Sequence, residues 1–216
     1  EPDNRRCFAF FHPSMPDEPL IFVEVALTYG IPNSIQSLLN YNQIIEEKNL
    51  ANTAVFYSIS NCQSGLAGIS FGNFLIKQVV EDLSNEFGNL KTFVTLSPIP
   101  LFKSWLENTK RKIDELDANN LSKLTAYYLL NGKRDDNTPI DPVARFHLGN
   151  GALVHAVHES ADTSKKGVSQ SLGTMVNYLY DPSLIAINHE KYASDNIIPA
   201  SNEIINLSKL AVKAGL

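Results

Sequence analysis

Short apolar segments rich in aromatic and β-branched residues run from Arg6 to Phe11 and from Leu20 to Leu27, and they predict two strands separated by the turn-rich stretch His12 to Pro19. Ser34 is placed to cap a short helix over Ile35 to Leu39, and the polar stretch Asn40 to Asn52 leads to a third strand, Ala54 to Ser60. Small residues follow from Asn61 to Ser64, with Gly65, Gly68 and Gly72 beyond them. Phe74, Leu75, Val79, Val80 and Leu83 then recur at helical spacing until Phe87-Gly88 ends the pattern. Thr92 to Leu96 reads as a strand that runs straight into Ser97-Pro98-Ile99-Pro100.

The second half predicts helix around Trp105-Leu106 and over Ile113 to Leu130, where Leu121, Leu124, Tyr128 and Leu129 make a packing face closed by Asn131-Gly132. The charged loop Lys133 to Asn137 reads as the flexible spot. Asp141-Pro142 supplies a cap and a first turn, so a short helix is expected over Pro142 to Leu148, ended by Gly149, with His147 in its last turn. Leu153 to His158 and Met175 to Tyr180 read as strands. Asp181-Pro182 is expected to open another helix, and Ser201 to cap a terminal one from Asn202 to Lys213. With no repeat, low-complexity tract or linker, the pattern predicts one α/β domain over 1–216.

Composition narrows the function classes. A chain of 216 residues that is 44% hydrophobic can bury a core, and a net charge of -5 offers no diffuse positive field for nucleic acid. The longest apolar run, Pro19 to Leu27, is broken by Glu24 and falls well short of the roughly 20 residues of a membrane span. Glu24 itself is expected to be a partly buried, paired carboxylate. Cys7 and Cys62 cannot build a disulfide scaffold or a four-cysteine zinc site, which points to plain thiols in a reducing compartment. The chain opens without Met, signal core or transit segment and is expected to be a piece of a longer protein.

The phosphate loop of nucleotide triphosphatases and the spaced glycine fingerprint of dinucleotide folds are both missing. His155 and His158, three apart in an expected strand, should face opposite ways and share no metal ion. The order strand, glycine loop, long helix, strand over Ala54 to Ser97 has two readings. It either seats a pyrophosphate on free N–H groups and the helix dipole, or merely makes a tight turn. Ser97 before a proline is ordinarily a strand-end residue, and His147 near a helix end ordinarily answers the dipole.

Six ordered blocks span essentially the whole chain: Phe11-His12-Pro13-Ser14-Met15-Pro16-Asp17-Glu18-Pro19-Leu20, Phe56-Tyr57-Ser58-Ile59-Ser60, Gly72-Asn73-Phe74-Leu75-Ile76-Lys77, Leu96-Ser97-Pro98-Ile99-Pro100, Phe146-His147-Leu148-Gly149-Asn150-Gly151-Ala152 and Val176-Asn177-Tyr178-Leu179-Tyr180. Together they resemble the catalytic domain of the malonyl-CoA decarboxylase family. The resemblance implies a fold related to the GNAT acetyltransferases, with a central mixed sheet of splayed strands flanked by helices. It also implies a preceding helical domain, missing from this chain, that serves homo-oligomerisation where present.

The same resemblance implies a catalytic set of Ser97, His147 and Tyr180 and an acyl-CoA partner. The pantetheine arm would lie between the strands Ala54 to Ser60 and Thr92 to Leu96, and the loop Gln63 to Gly72 under the pyrophosphate. Ser58, Ser60, Gln63, Gly65, Gly68 and Gly72 are the CoA-binding set. Decarboxylation of malonyl-CoA to acetyl-CoA is then expected without metal or organic cofactor, because the thioester is its own electron sink. Ser97 would hydrogen-bond the malonyl group, and His147, at an ordinary pKa near 6.5, would orient it and supply the proton directly or through Ser97.

The family usually has Gly-Phe where this chain has Leu101-Phe102, and Arg-Ile-Asn-Trp where it has Ala156-Val157-His158-Glu159. Two other functions stay open at this point: acyl transfer to an amine, and a catalytically degraded acyl-CoA-binding module. A bacterial cytoplasm is the expected compartment, with mitochondrion and peroxisome as alternatives, and the C-terminal Ala214-Gly215-Leu216 is not the Ser-Lys-Leu address.

Overall fold

The computed structural model describes residues 4–40, 50–63, 74–109 and 116–215. Its first two strands, β1 (Arg5–His12) and β2 (Met15–Thr28), form an antiparallel hairpin whose turn is only Pro13-Ser14. The stretch from His12 to Pro19, expected as a connection, is therefore mostly exposed ribbon. Phe11 pairs with Pro19 and His12 with Met15, so residues 16–18 bulge outward, which accommodates prolines that cannot donate to a ladder. Glu24 is half-buried on this ribbon between Cys7 and Ser58, and no ion pair to it is found among the described residues, contrary to the pairing expected.

Past α1 (Ile35–Leu39), capped by Ser34 as expected, β3 (Thr53–Asn61) pairs antiparallel with β2. Helix α2 (Phe74–Glu86) then returns the chain to β4 (Thr92–Thr95), which lies parallel to β3 from Thr53 opposite Thr92 to Phe56 opposite Thr95. The last tie between them is Leu96 N–H to Phe56 O, 3.2 Å. Beyond it β3 continues along β2 alone, while the chain turns into β5 (Ser97–Pro98) and pairs with β7 (Met175–Leu179). The two strands thus splay apart immediately before Ser97. The mixed sheet runs β1-β2-β3-β4-β7-β5, with β6 (Leu153–His158) on the other edge of β7.

Both faces of the sheet are covered. Ala54 and Phe56 share the main core with Ile76, Val79 and Leu83 of α2, whereas Val55 between them joins Val94, Leu96, Met175 and Leu38 on the opposite side. Each such side chain taken from water contributes about 1.5–3 kcal/mol to holding the strands in register. Helices α3 (Phe102–Asn108), α4 (Ala118–Asn131), α5 (Pro142–Gly149) and α8 (Asn202–Lys213) supply Phe102, Leu124, Tyr128, Leu148 and Ile204 to the main core.

Several boundaries differ from the sequence reading, for identifiable reasons. Helix α4 starts at Ala118 rather than Ile113, because the Asp117 carboxylate caps it by accepting the Asn120 N–H. Helix α6 (Lys165–Ser171) was not anticipated. Its seven residues have little apolar periodicity, and it is set by the Ser164 cap and by the close approach of Gly167, where a Cβ would lie 2.3 Å from the Asp162 carboxyl. Helix α7 (Ile185–Asp195) starts three residues past Pro182, since Asp181 spends its side chain on the N–H and O–H of Ser183 in a local turn. The loop over Lys133 to Asn137 is a hydrogen-bonded turn, closed by Arg134 N–H to Thr138 O and by Asp136 holding Thr138.

Candidate active site

Ser97 sits where β4 gives way to β5, and the break in the ladder there is filled by side chains. On the β4 and β5 side of β7 only Val94 pairs with Leu179 and only Ser97-Pro98 with Val176-Met175, so the backbone N–H of Tyr178, between those points, finds no backbone partner on that edge. It donates instead to Thr95 Oγ1 at 3.0 Å, and Asn177 Nδ2 donates to the Thr95 carbonyl at 2.6 Å. Thr95 Oγ1 lies 2.8 Å from Ser97 Oγ, a bond across which either hydroxyl can donate.

Helix α5 brings the histidine. Asp141 caps it by accepting the N–H groups of Val143 and Ala144, with Pro142 at its first turn, as the sequence predicts. The helix ends against Gly151, whose φ of +82° and approach to the Ile185 carbonyl, 2.3 Å from a would-be Cβ, admit only glycine. His147 in the last turn then reaches Ser97 Oγ with Nε2 at 3.1 Å and the Tyr180 hydroxyl with Nδ1 at 2.8 Å. Its ring stacks on Tyr178 at a centroid distance of 4.6 Å. Ser97, His147 and Tyr180, named from the sequence, are therefore one chain of buried side chains, 5%, 4% and 1% exposed.

Burial lowers the His147 pKa to about 3, so the imidazole is neutral at neutral pH. This corrects the ordinary value near 6.5 assumed from sequence, which holds for a solvated ring. Burial likewise pushes the Tyr180 phenol well above its usual value.

The site opens into a cavity of about 570 Å³ between the splayed strands, walled by Phe56 to Ser60 on one side and Leu96 to Pro98 with Phe146 and His147 on the other. Ser58 and Ser60 line it. Gln63 does not line it, and instead donates through Nε2 to Glu18 and to the Pro19 carbonyl at the foot of the hairpin. Gly65, Gly68 and Gly72 lie outside the described residues. Lys166 is the one lysine or arginine among the described lining residues, and no group of three or more possible metal ligands occurs among the described residues.

Sequence reasoning missed three contributors. Thr95 could have been found from the strand period, since it lies two residues before Ser97 and so shares its face. Asp141 was read only as a cap. It is a 2% exposed carboxyl whose pKa burial raises to about 6 against the opposing pull of the Ala144, Leu101 and Val143 N–H groups. Around it the hydroxyls of Tyr128 and Tyr178 and its own Oδ2 are buried and lack hydrogen-bond partners among the described residues. Lys166 belongs to the helix that was not anticipated. The two departures from the family blocks leave the site intact. Leu101 holds an ordinary φ of -106°, which needs no glycine, and His158 and Glu159 bond Asn177 and Ser122.

The chain is similar to known proteins over most of its length. The family model described as the malonyl-CoA decarboxylase C-terminal domain matches residues 1–120 and 110–214. Mitochondrial malonyl-CoA decarboxylase of Rattus norvegicus is 36% identical over 94% of this chain and 51% of its own length. The crystal structure of malonyl-CoA decarboxylase from Rhodopseudomonas palustris is 45% identical with a TM-score of 0.86, covering 95% of this chain and 53% of that one. The chain spans about half the length of the curated relatives it matches. A GNAT-like decarboxylase solved in complex with isobutyryl-CoA shares the fold at 15% identity and a TM-score of 0.55, over 81% of this chain and 77% of its own.

Proposed function

This chain belongs to the malonyl-CoA decarboxylase family, and from that premise we propose that it is the catalytic domain of an enzyme that converts malonyl-CoA to acetyl-CoA and carbon dioxide. The observation that carries the reading is the buried chain Ser97, His147, Tyr180 opening on the cavity between splayed strands.

Losing carbon dioxide moves an electron pair from the carboxylate into the thioester as an enolate, which must then be protonated at carbon. Such a site has to hold the acyl group, leave the carboxylate poorly solvated and offer a proton. Ser97 is the hydroxyl that the buried chain presents at the cavity wall. The walls formed by Phe56, Ile59, Leu96 and Phe146 are apolar and favour the neutral product over the carboxylate. His147, neutral by burial, is no reservoir of imidazolium; it works as a hydrogen-bonding relay between Ser97 and Tyr180. The enolate of a thioester is a far stronger base than imidazole, so a neutral hydroxyl backed by this relay suffices. The edge of β3 left unpaired after Phe56, which carries Ser58 and Ser60, suits the pantetheine arm, and the small-residue stretch 63–72 its pyrophosphate. No metal or organic cofactor enters the chemistry.

Acyl transfer to an amine would need a base at the acceptor, and a histidine whose pKa burial lowers to about 3 is a poor one. No helix of the described residues is long and apolar enough to cross a membrane. Identity of 45% to a bacterial relative against 36% to a mitochondrial one supports a bacterial cytoplasmic setting. The helical segment that precedes this domain in the family would supply homo-oligomerisation.

Incubation with malonyl-CoA alone tests the reading. Acetyl-CoA and carbon dioxide are expected in equimolar amounts with no acceptor present, undiminished by a strong chelator. Intact malonyl-CoA would refute the reading, and activity abolished by chelation and restored by zinc would refute its cofactor-free chemistry.

A further inference from the structure

A count of hydrogens in the buried chain assigns a role to Thr95. Three hydroxyls and one neutral imidazole contribute four hydrogens, but only three contacts join them: Tyr180 to Nδ1, Nε2 to Ser97, and Ser97 to Thr95. One hydrogen is therefore left over. Left on Thr95 or on Tyr180, 0% and 1% exposed, it would be a buried donor with no acceptor among the described residues. Left on Ser97 it points into the cavity that Ser97 lines. Only this last arrangement strands nothing. Tyr180 then donates to Nδ1, Nε2–H donates to Ser97 Oγ, and Thr95 donates to Ser97 Oγ while its own oxygen accepts the Tyr178 N–H.

We propose that Thr95 is a positioning residue whose hydroxyl, together with His147 Nε2–H, donates to Ser97 Oγ, so that the Ser97 hydrogen is aimed at the substrate and the alkoxide it leaves is held by two donors. This rests on the decarboxylase reading above and decides which group delivers the proton. The enolate electron pair takes the hydrogen of Ser97, a C–H bond forms as the O–H bond breaks, and acetyl-CoA results. Ser97 alkoxide recovers its hydrogen from water admitted as product leaves, releasing hydroxide. His147 stays neutral throughout. Because hydrogen bonds to a charged group are the strong ones, Thr95 contributes most at the moment the alkoxide forms and little to holding the CoA portion.

The test combines two measurements. ¹⁵N NMR of the wild-type chain labelled at histidine, with His147 assigned by its loss in His147→Asn, should show the Nε2–H tautomer; an Nδ1–H tautomer overturns the proposal. It needs no turnover and no Thr95 variant, so it decides the His147 half of the assignment even where Thr95→Val does not fold. Thr95→Val should lower kcat by about 10- to 100-fold with KM for malonyl-CoA and Kd for CoA unchanged, and Thr95→Ser should restore kcat to within about threefold of wild type. An unchanged kcat in Thr95→Val, or an equal loss in Thr95→Ser, overturns it. A wild-type chain that leaves malonyl-CoA intact refutes the decarboxylase reading instead, and the tautomer then judges only the His147 donation to Ser97.

Discussion

Asp141 and His147 are both ionisable and almost wholly buried, and burial drives each toward its neutral form. The consequences for stability have opposite signs. Asp141 has its pKa raised from 3.8 to about 6, so its contribution is fully present below 3.8 and is lost as pH rises through 6. His147 has its pKa lowered from 6.5 to about 3, so its contribution is present above 6.5 and is lost as pH falls toward 3. Asp141→Asn keeps an oxygen for the helix cap and gains an N–H for the orphaned Tyr128 or Tyr178 hydroxyl. The variant should gain roughly 2 to 3 kcal/mol on wild type as pH goes from 4 to 7, the worth of the shift it removes. Urea denaturation at the two pH values measures this, and an equal difference at both would show that Asp141 does not carry the charge effect. The sequence showed Ser97, His147 and Tyr180 through the blocks around them, and it showed Asp141 as a cap. It could not show burial, which depends on Tyr128 and Tyr178 arriving from distant elements, and so it misjudged the histidine's charge.

At the scale of elements, the legible features were those with a strong local signal. Strand β3, helix α5 with its Asp-Pro start, and helix α8 with its serine cap lie close to where their residues predict. Features fixed by tertiary contact were not legible: the proline-bearing ribbon of β2, the polar helix α6, and the late start of α7 after the Asp181 turn. The splay between β3 and β4 was expected from the family resemblance alone, because nothing in a strand's own sequence says where its neighbour departs. The glycine loop between β3 and α2 lies outside the described residues, so its role rests on the order of strand, small residues and helix. Gly68→Val should obstruct close approach of the CoA pyrophosphate and weaken CoA binding, read by titration calorimetry. An unchanged Kd in the folded variant would mean that the glycines serve only the turn.

For the molecule as a whole, sheet and helices converge on one result: Ser97 on β5, His147 on α5 and Tyr180 just past β7 are joined by hydrogen bonds, and Ser97 and His147 open on a cavity of about 570 Å³. The account stands on His147 acting in the reaction rather than merely ending a helix. His147→Asn decides this when melting temperature, CoA affinity and kcat are measured on the same purified variant beside wild type. The account predicts a kcat lower by about 10- to 100-fold, the worth of one donor to the Ser97 alkoxide, with Kd for CoA little changed, since the CoA portion is proposed to lie along β3. A variant that melts at a lower temperature yet turns over malonyl-CoA at the wild-type rate would contradict it.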